Sequence, residues 1–258
     1  MSTVLFVVRD AVAVITLDRP QKYNAFNRAM ALALQEKLAA CRTDASVRAI
    51  LITGSGKAFS AGQDLDEVVD PNGPVITTIL AEHYNPIVKM IRKLDKPVVA
   101  AVNGVAAGAG ANIALCCDVV VAARSASFIQ AFSKIGLIPD SGGTYFLPRL
   151  IGWQKASALM MLGDKVPAEE AASLGMVYKV LPDEGFSDAA FAIAKTLANL
   201  PTRALAFTKR ALNQSFINNF EDQLHDEELL QEQAGRTADF KEGVQAFLEK
   251  RPPNYTGQ

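Results

Sequence analysis

The stretch Asn103-Gly-Val-Ala-Ala-Gly-Ala-Gly-Ala-Asn112 restricts the possible folds more than any other part of the chain. Three glycines and four alanines in ten residues leave almost no side chains, so another group can approach the backbone closely. Before it runs Lys96-Pro-Val-Val-Ala-Ala-Val102, an apolar run bounded by proline that reads as a buried strand. After it, Ile113-Ala-Leu-Cys-Cys117 reads as a short helix, followed by a second strand over 119–122. A strand that turns into a helix presents unpaired N–H groups backed by the positive end of the helix dipole. Such a turn can hold a phosphate or the oxyanion of a reaction. It can equally be a place where helix and strand pack tightly with no ligand.

The rest of the chain supplies elements of the same kind. Residues 4–8 and 12–17 are β-rich runs split by Arg9-Asp10, the pattern of a hairpin. Asn27 is placed to cap a helix to about residue 42, with Met30, Leu34, Leu38 and Cys41 on one face. Residues 49–53 read as a buried strand, and 54–65 as the glycine-rich loop after it. Gly73-Pro74 breaks the chain before a helix expected over 75–94. Pro139-Asp-Ser-Gly-Gly143 is a sharp turn entering a short helix, and Pro167 suits the first turn of another. From Gly185 on, four helices are expected over about 186–200, 203–218, 221–235 and 238–250, the last capped by Thr237. Alternating βα units followed by a run of helices predict an α/β core with a helical C-terminal piece.

Several functions are disfavoured. A formal net charge of -1, with no run of five basic residues, gives no footprint for nucleic acid or an anionic membrane. The longest apolar stretch, 97–123, is interrupted by Asn103, Asn112 and Asp118 and does not read as a membrane span. The N-terminal residues lack a basic region and a cleavage site, so no signal peptide is expected. Three cysteines, two of them adjacent, read as buried residues of a cytoplasmic protein. Two histidines and no Cys-x-x-Cys predict no metal site. Gly54-Ser-Gly-Lys57 fails the P-loop pattern at Leu51 and Ala58, and Gly108-Ala-Gly110 lacks the third dinucleotide-fingerprint glycine, which is Ile113.

Two glycine-rich loops, each after a buried strand, would open at the same edge of a parallel sheet, where ligands bind. One N–H from each could meet on a single oxygen. Asp140 is an acid in an otherwise apolar turn, and reads either as a reacting group or as a helix cap over 141–144.

Lys57-Ala-Phe-Ser-Ala-Gly-Gln-Asp-Leu65, Lys96-Pro-Val-Val-Ala-Ala-Val-Asn-Gly104, Gly136-Leu-Ile-Pro-Asp-Ser-Gly-Gly-Thr144 and Glu242-Gly-Val-Gln-Ala-Phe-Leu-Glu-Lys-Arg251 resemble the crotonase (enoyl-CoA hydratase/isomerase) superfamily. The motifs stand in family order across essentially the whole chain. This resemblance implies a crotonase-like α/β core of repeated ββα units over 1–200. It also implies a helical region over 201–258 that packs a homotrimer or a dimer of trimers. The implied substrate is an acyl-CoA thioester, with coenzyme A entering as part of it and no separate cofactor.

By position, the thioester oxygen would meet the N–H groups of Ala61 and Ala109, beside Gly62 and Gly108. Lys22, Gln63, Asp64, Leu65, Phe247 and Lys250 fall where relatives meet coenzyme A, the last two from a neighbouring subunit. Read without the resemblance, Asp64 is a helix cap, the lysines are solvated charges and Phe247 is a helix-core residue. The two glutamates of the hydratases fall on Asn112 and Phe132, so water addition is expected to be weak or absent. Phe132 would then wall the acyl pocket, and Asn112 would orient substrate or simply tidy a helix start.

Asp140 stands where isomerases of the superfamily carry a proton-moving Asp. Apolar neighbours such as Phe132, Leu137 and Ile138 would raise its pKa. Ala131-Phe-Ser-Lys-Ile-Gly-Leu-Ile-Pro-Asp-Ser-Gly-Gly-Thr144 and Ala234-Gly-Arg-Thr-Ala-Asp-Phe-Lys-Glu-Gly243 are similar to the superfamily's ring-epoxide CoA-ester isomerases. The rival readings are a Δ3,Δ2-enoyl-CoA isomerase, a hydratase, or a protein that binds CoA esters without reaction.

Overall fold

The computed structural model describes residues 2–258. Its strands in chain order are β1 (Val4–Arg9), β2 (Val12–Leu17), β3 (Ala49–Gly54), β4 (Ala58–Ser60), β5 (Val98–Val102), β6 (Val105–Ala107), β7 (Val119–Ala123), β8 (Ser127–Ile129), β9 (Lys165–Pro167) and β10 (Lys179–Leu181). The expected hairpin is present: β1 and β2 pair antiparallel, and Asp10 and Ala11 between them both take positive φ. That turn geometry matches the twist of the strands it joins. From β2 onward the first sheet is parallel, in the order β1-β2-β3-β5-β7-β10. All five residues of β5 are buried, as an apolar strand covered on both faces must be.

A second sheet has the order β4-β6-β8-β9, with β9 antiparallel to β8. The chain therefore steps repeatedly from a long strand of the first sheet to a three-residue strand of the second and then into helical structure. This is the expected ββα repeat. The loops read as crossovers at 54–65 and 103–112 contain β4 and β6.

The helices are α1 (Arg28–Thr43), α2 (Leu65–Val69), α3 (Ile76–Thr78), α4 (Asn85–Lys93), α5 (Ala109–Leu115), α6 (Gly143–Ile151), α7 (Trp153–Leu162), α8 (Ala168–Ser173), α9 (Phe186–Asn199), α10 (Thr202–Gln214), α11 (Phe220–Gly235) and α12 (Ala238–Glu249). Two caps fall where the sequence puts them. Asn27 Oδ1 accepts from Met30 N at 3.0 Å, and Thr237 Oγ1 from Phe240 N at 3.1 Å. The helix expected over 75–94 is composite, because a π-helical turn, Ile79–Tyr84, joins α3 to α4. Pro86 has no N–H to offer the carbonyl of Glu82, four residues back. Gln35 Nε2 supplies the missing donor, reaching Glu82 O at 2.6 Å and His83 O at 3.0 Å. Helix α5 starts at Ala109, four residues before the apolar run that announced it, and Pro167 closes β9 and precedes α8.

The C-terminal helices are anchored to the core by a charged knot. Lys209 Nζ and Arg92 Nη1 meet the two oxygens of Asp118 at 2.7 and 3.0 Å. All three cysteines are buried: Cys41 on α1, and Cys116 and Cys117 just after α5. Among the described residues, no helix is long and apolar enough to cross a membrane.

Candidate active site

Strands β3 and β5 are parallel neighbours, so the chain leaves both at one end of the sheet, and β4 and β6 keep the two segments side by side. Beyond them the backbones nearly touch. A Cβ built on Gly62 would lie 2.9 Å from Ala107 O and 3.5 Å from Ala109 N. Gly62 also sits at φ +90°, so only glycine fits there. Tight packing and an open backbone are both found in the Gly-Ala stretch. A Cβ on Gly110 would strike Ser60, whereas one on Gly108 would only meet the Phe132 ring at 3.7 Å.

The donors differ in one place from the sequence expectation. Ala61 lines the cavity, but its N–H donates to the Tyr23 carbonyl at 2.9 Å and is not free for a ligand. Beside it, the N–H of Gln63 has no partner among the described residues. Phe26 N donates to Gly62 O at 2.6 Å and Asp64 N donates to Phe26 O at 2.8 Å. In a parallel bridge of this kind the flanking groups face the partner and the central residue's own N–H faces away. Ala109 opens α5, and its N–H likewise has no partner among the described residues.

A cavity of about 430 Å³ lies against these two groups. Its walls are mostly apolar: Leu65, Val68, Ile79, Leu80, Ala131, Phe132, Ile135 and Leu137 contribute, together with Tyr84. Asp140 is the single carboxylate in its lining. Burial pushes its pKa up to about 6, against a smaller lowering by its bond with Ser141 Oγ at 2.8 Å. The capping alternative fails, since α6 starts after Gly142 with no side-chain cap. Ile138, expected beside the carboxyl, is 81 % exposed and lies outside the cavity, while Phe132 and Leu137 are in place.

Asn112 is buried and does not line the cavity. Its Nδ2 donates to Asp140 O at 2.9 Å and its Oδ1 accepts from Gln130 Nε2 at 2.8 Å. The amide therefore holds the Asp140 turn from behind. Asp64 is a cap and an ion pair rather than a cavity wall: its side chain accepts from Asp66 N and meets Arg19 Nη2 at 2.7 Å. Gln63 and Leu65 on either side of it do line the cavity. Lys22 is paired with Asp66 next to Leu65. Phe247 and Lys250 lie at the end of α12 and take no part in this chain's own cavity. Sequence reasoning missed Tyr84, whose hydroxyl donates to Gln63 Oε1 at 2.6 Å. Its only signal was an aromatic residue two positions before a proline inside an expected helix.

The enoyl-CoA hydratase/isomerase family model matches residues 8–258. The chain belongs to that family. The 1,2-epoxyphenylacetyl-CoA isomerase of Escherichia coli is 47% identical over 261 residues, covering 100% of both chains. A trans-2-decenoyl-[acyl-carrier-protein] isomerase of Streptococcus mutans is 36% identical, covering 99% of this chain and 98% of its own. The crystal structure of an enoyl-CoA hydratase from Bacillus anthracis superposes with a TM-score of 0.92 at 33% identity, covering 99% and 100% of the two chains. In this enoyl-CoA hydratase/isomerase family member, two free N–H groups and one carboxyl of raised pKa thus share a mostly apolar cavity.

Proposed function

We propose that the chain is an acyl-CoA isomerase that moves protons along an unsaturated or epoxidised CoA ester. The thioester oxygen sits between the N–H groups of Gln63 and Ala109. Asp140 removes a proton beside the carbonyl and returns one elsewhere on the conjugated system. The two donors favour the enolate over the neutral ester, and this differential binding lowers the barrier. Coenzyme A enters with the substrate, and the scheme uses no further cofactor.

The observation that carries this reading is the single carboxylate of the cavity. Hydration needs one group to activate water and another to place the proton, and the positions of the two hydratase glutamates hold Asn112 and Phe132. One acid/base group whose pKa is raised to about 6 is enough for a proton shift. The 1,2-epoxyphenylacetyl-CoA isomerase named above, 47% identical, favours an aromatic epoxide of phenylacetate catabolism as the substrate, opened to the ring-expanded oxepin. Phe132 and the apolar wall suit such a ring.

The region 201–258 is read as the assembly surface of a homotrimer or dimer of trimers. Ile217, Phe220, Phe247 and Leu248 expose apolar side chains there.

The test is to give the pure protein a 3-enoyl-CoA and, separately, a 2-enoyl-CoA. The conjugated thioester is followed by absorbance and water addition by mass. Double-bond migration without hydration is expected, lost by about 10²–10⁴-fold in Asp140→Asn. Hydration at a comparable rate would reject the reading. Turnover of the ring epoxide by the same protein would fix the finer substrate.

A further inference from the structure

We infer that Tyr84 is a positioning residue for the reaction, acting through the side chain of Gln63 on the N–H that meets the thioester oxygen. The inference rests on the oxyanion role proposed for Gln63. Gln63 follows a glycine at φ +90°, so the peptide that carries its N–H has unusual freedom to rotate. The fold restrains that peptide at two places. Phe26 N holds the carbonyl of Gly62 at 2.6 Å. Beyond the peptide, the Gln63 amide is clamped at both ends: Oε1 accepts from Tyr84 Oη at 2.6 Å, and Nε2 donates to Glu67 Oε2 at 3.0 Å.

Tyr84 grips both strands of this bridge. It bonds Gln63 and packs edge-on against Phe26, with ring centroids 5.8 Å apart. It is 1% exposed, and it is the last residue of the π-helical turn. The turn thereby delivers a rigid phenol to the oxyanion loop from a different element of the fold. The hydroxyl proton is committed to Gln63, so Tyr84 does not reach the substrate as an acid in this arrangement. An oxyanion donor is effective because its direction is fixed before charge develops. Loosening that direction weakens transition-state binding more than ground-state binding.

The test variant is Tyr84→Phe, which keeps the ring and its packing on Phe26 and removes only the hydroxyl. The expected effect is a fall in kcat of about tenfold with KM within about twofold, short of the 10²–10³ lost when such a donor is removed outright. Gln63→Met should lose a similar factor, and the double variant should be no slower than Gln63→Met alone.

A direct readout is the infrared carbonyl stretch of bound butyryl-CoA, which reports polarisation by the two N–H groups whatever Asp140 does. The band should be lowered in the wild type and in Asp140→Asn, and should return part-way toward the free ester in Tyr84→Phe. A lowered band unchanged in Tyr84→Phe would overturn the role of Tyr84 and leave the oxyanion reading intact. An unshifted band in the wild type would overturn both. Losses that simply multiply in the double variant would also reject coupling through Gln63.

Discussion

Asp140 is useful because its site is unfavourable for its charge. Its carboxyl has one hydrogen bond, from Ser141, and a mostly apolar cavity in front of it. The proton abstraction proposed for it requires the ionised form, so kcat/KM should fall as pH drops through about 6, and a pH–rate profile checks this. The same burial acts on stability with a definite sign. The unfolded chain releases this proton near 3.8 and the folded chain near 6, so stability is lost as pH rises between those values and stays lost above them. Asp140→Asn removes the effect. At pH 8 it should be more stable than wild type by up to about 3 kcal/mol, and at pH 3 about equal, as read by denaturant unfolding. In the sequence Asp140 drew notice by its turn, which left a reacting group and a helix cap both open, and only the family resemblance pointed to proton transfer. Its release from capping duty was not legible there, since that depends on Gly142 taking the cap position. Nor could the sequence separate Ala61 from Gln63 as donor. The choice is made by residues distant in sequence: the Tyr23 carbonyl accepts the N–H of Ala61 and the Phe26 carbonyl that of Asp64, while the N–H of Gly62 goes to Ser60 Oγ.

At the level of elements, legibility followed length. Helix α1 and the β1–β2 hairpin carry a full period of apolar residues and a cap or turn signal, and both appear where expected. The four strands of the second sheet have three residues each. That is too short for alternation to show, and β6 is made of the same small residues as the loop around it. The π-helical turn was hidden for another reason. Its cause is Pro86, but its compensation comes from Gln35 on a different helix. Gln35→Ala should leave two carbonyls without that donor and cost about 1–2 kcal/mol in denaturant midpoint measurements. Because the turn carries Tyr84, the variant should also lose some kcat, whereas a surface change such as Lys155→Ala should lose none.

Across the molecule, Asp118 joins the C-terminal helices to the first sheet. Lys209 is buried on α10 and Arg92 sits on α4, and both depend on that one carboxylate. Asp118→Asn leaves the buried Lys209 and the half-buried Arg92 facing an amide and should cost about 3–5 kcal/mol, seen as a large fall in melting temperature. Lys209→Met should cost less, because Arg92 still pairs with Asp118. The outer faces of α10–α12 carry apolar side chains that the single chain does not cover, Phe247 being 83% exposed. If these faces pack the trimer proposed above, the protein runs as an oligomer in mass photometry and Leu248→Glu lowers that mass without lowering the helix content; a monomeric wild type would reject the proposal. The helical end was readable from the change in pattern near Gly185, whereas the ββα repeat of the core came from the family resemblance and not from periodicity.

The buried cysteines give the protein a set of internal clocks. Burial pushes the Cys41 thiol up to about 11, and Cys117, a free thiol like its neighbour, is raised by hydrogen bonding with Cys116 and by burial. A thiol held protonated and away from solvent does not react with alkylating reagents. Each labelling event therefore records an opening of the fold, and the site of the label says which part opened. Cys41 reports the release of α1. Cys116 and Cys117 report the release of the short helix whose first residue faces the cavity. Comparing the two labelling rates with and without a CoA ester would show whether ligand tightens the whole molecule or only the half that touches it.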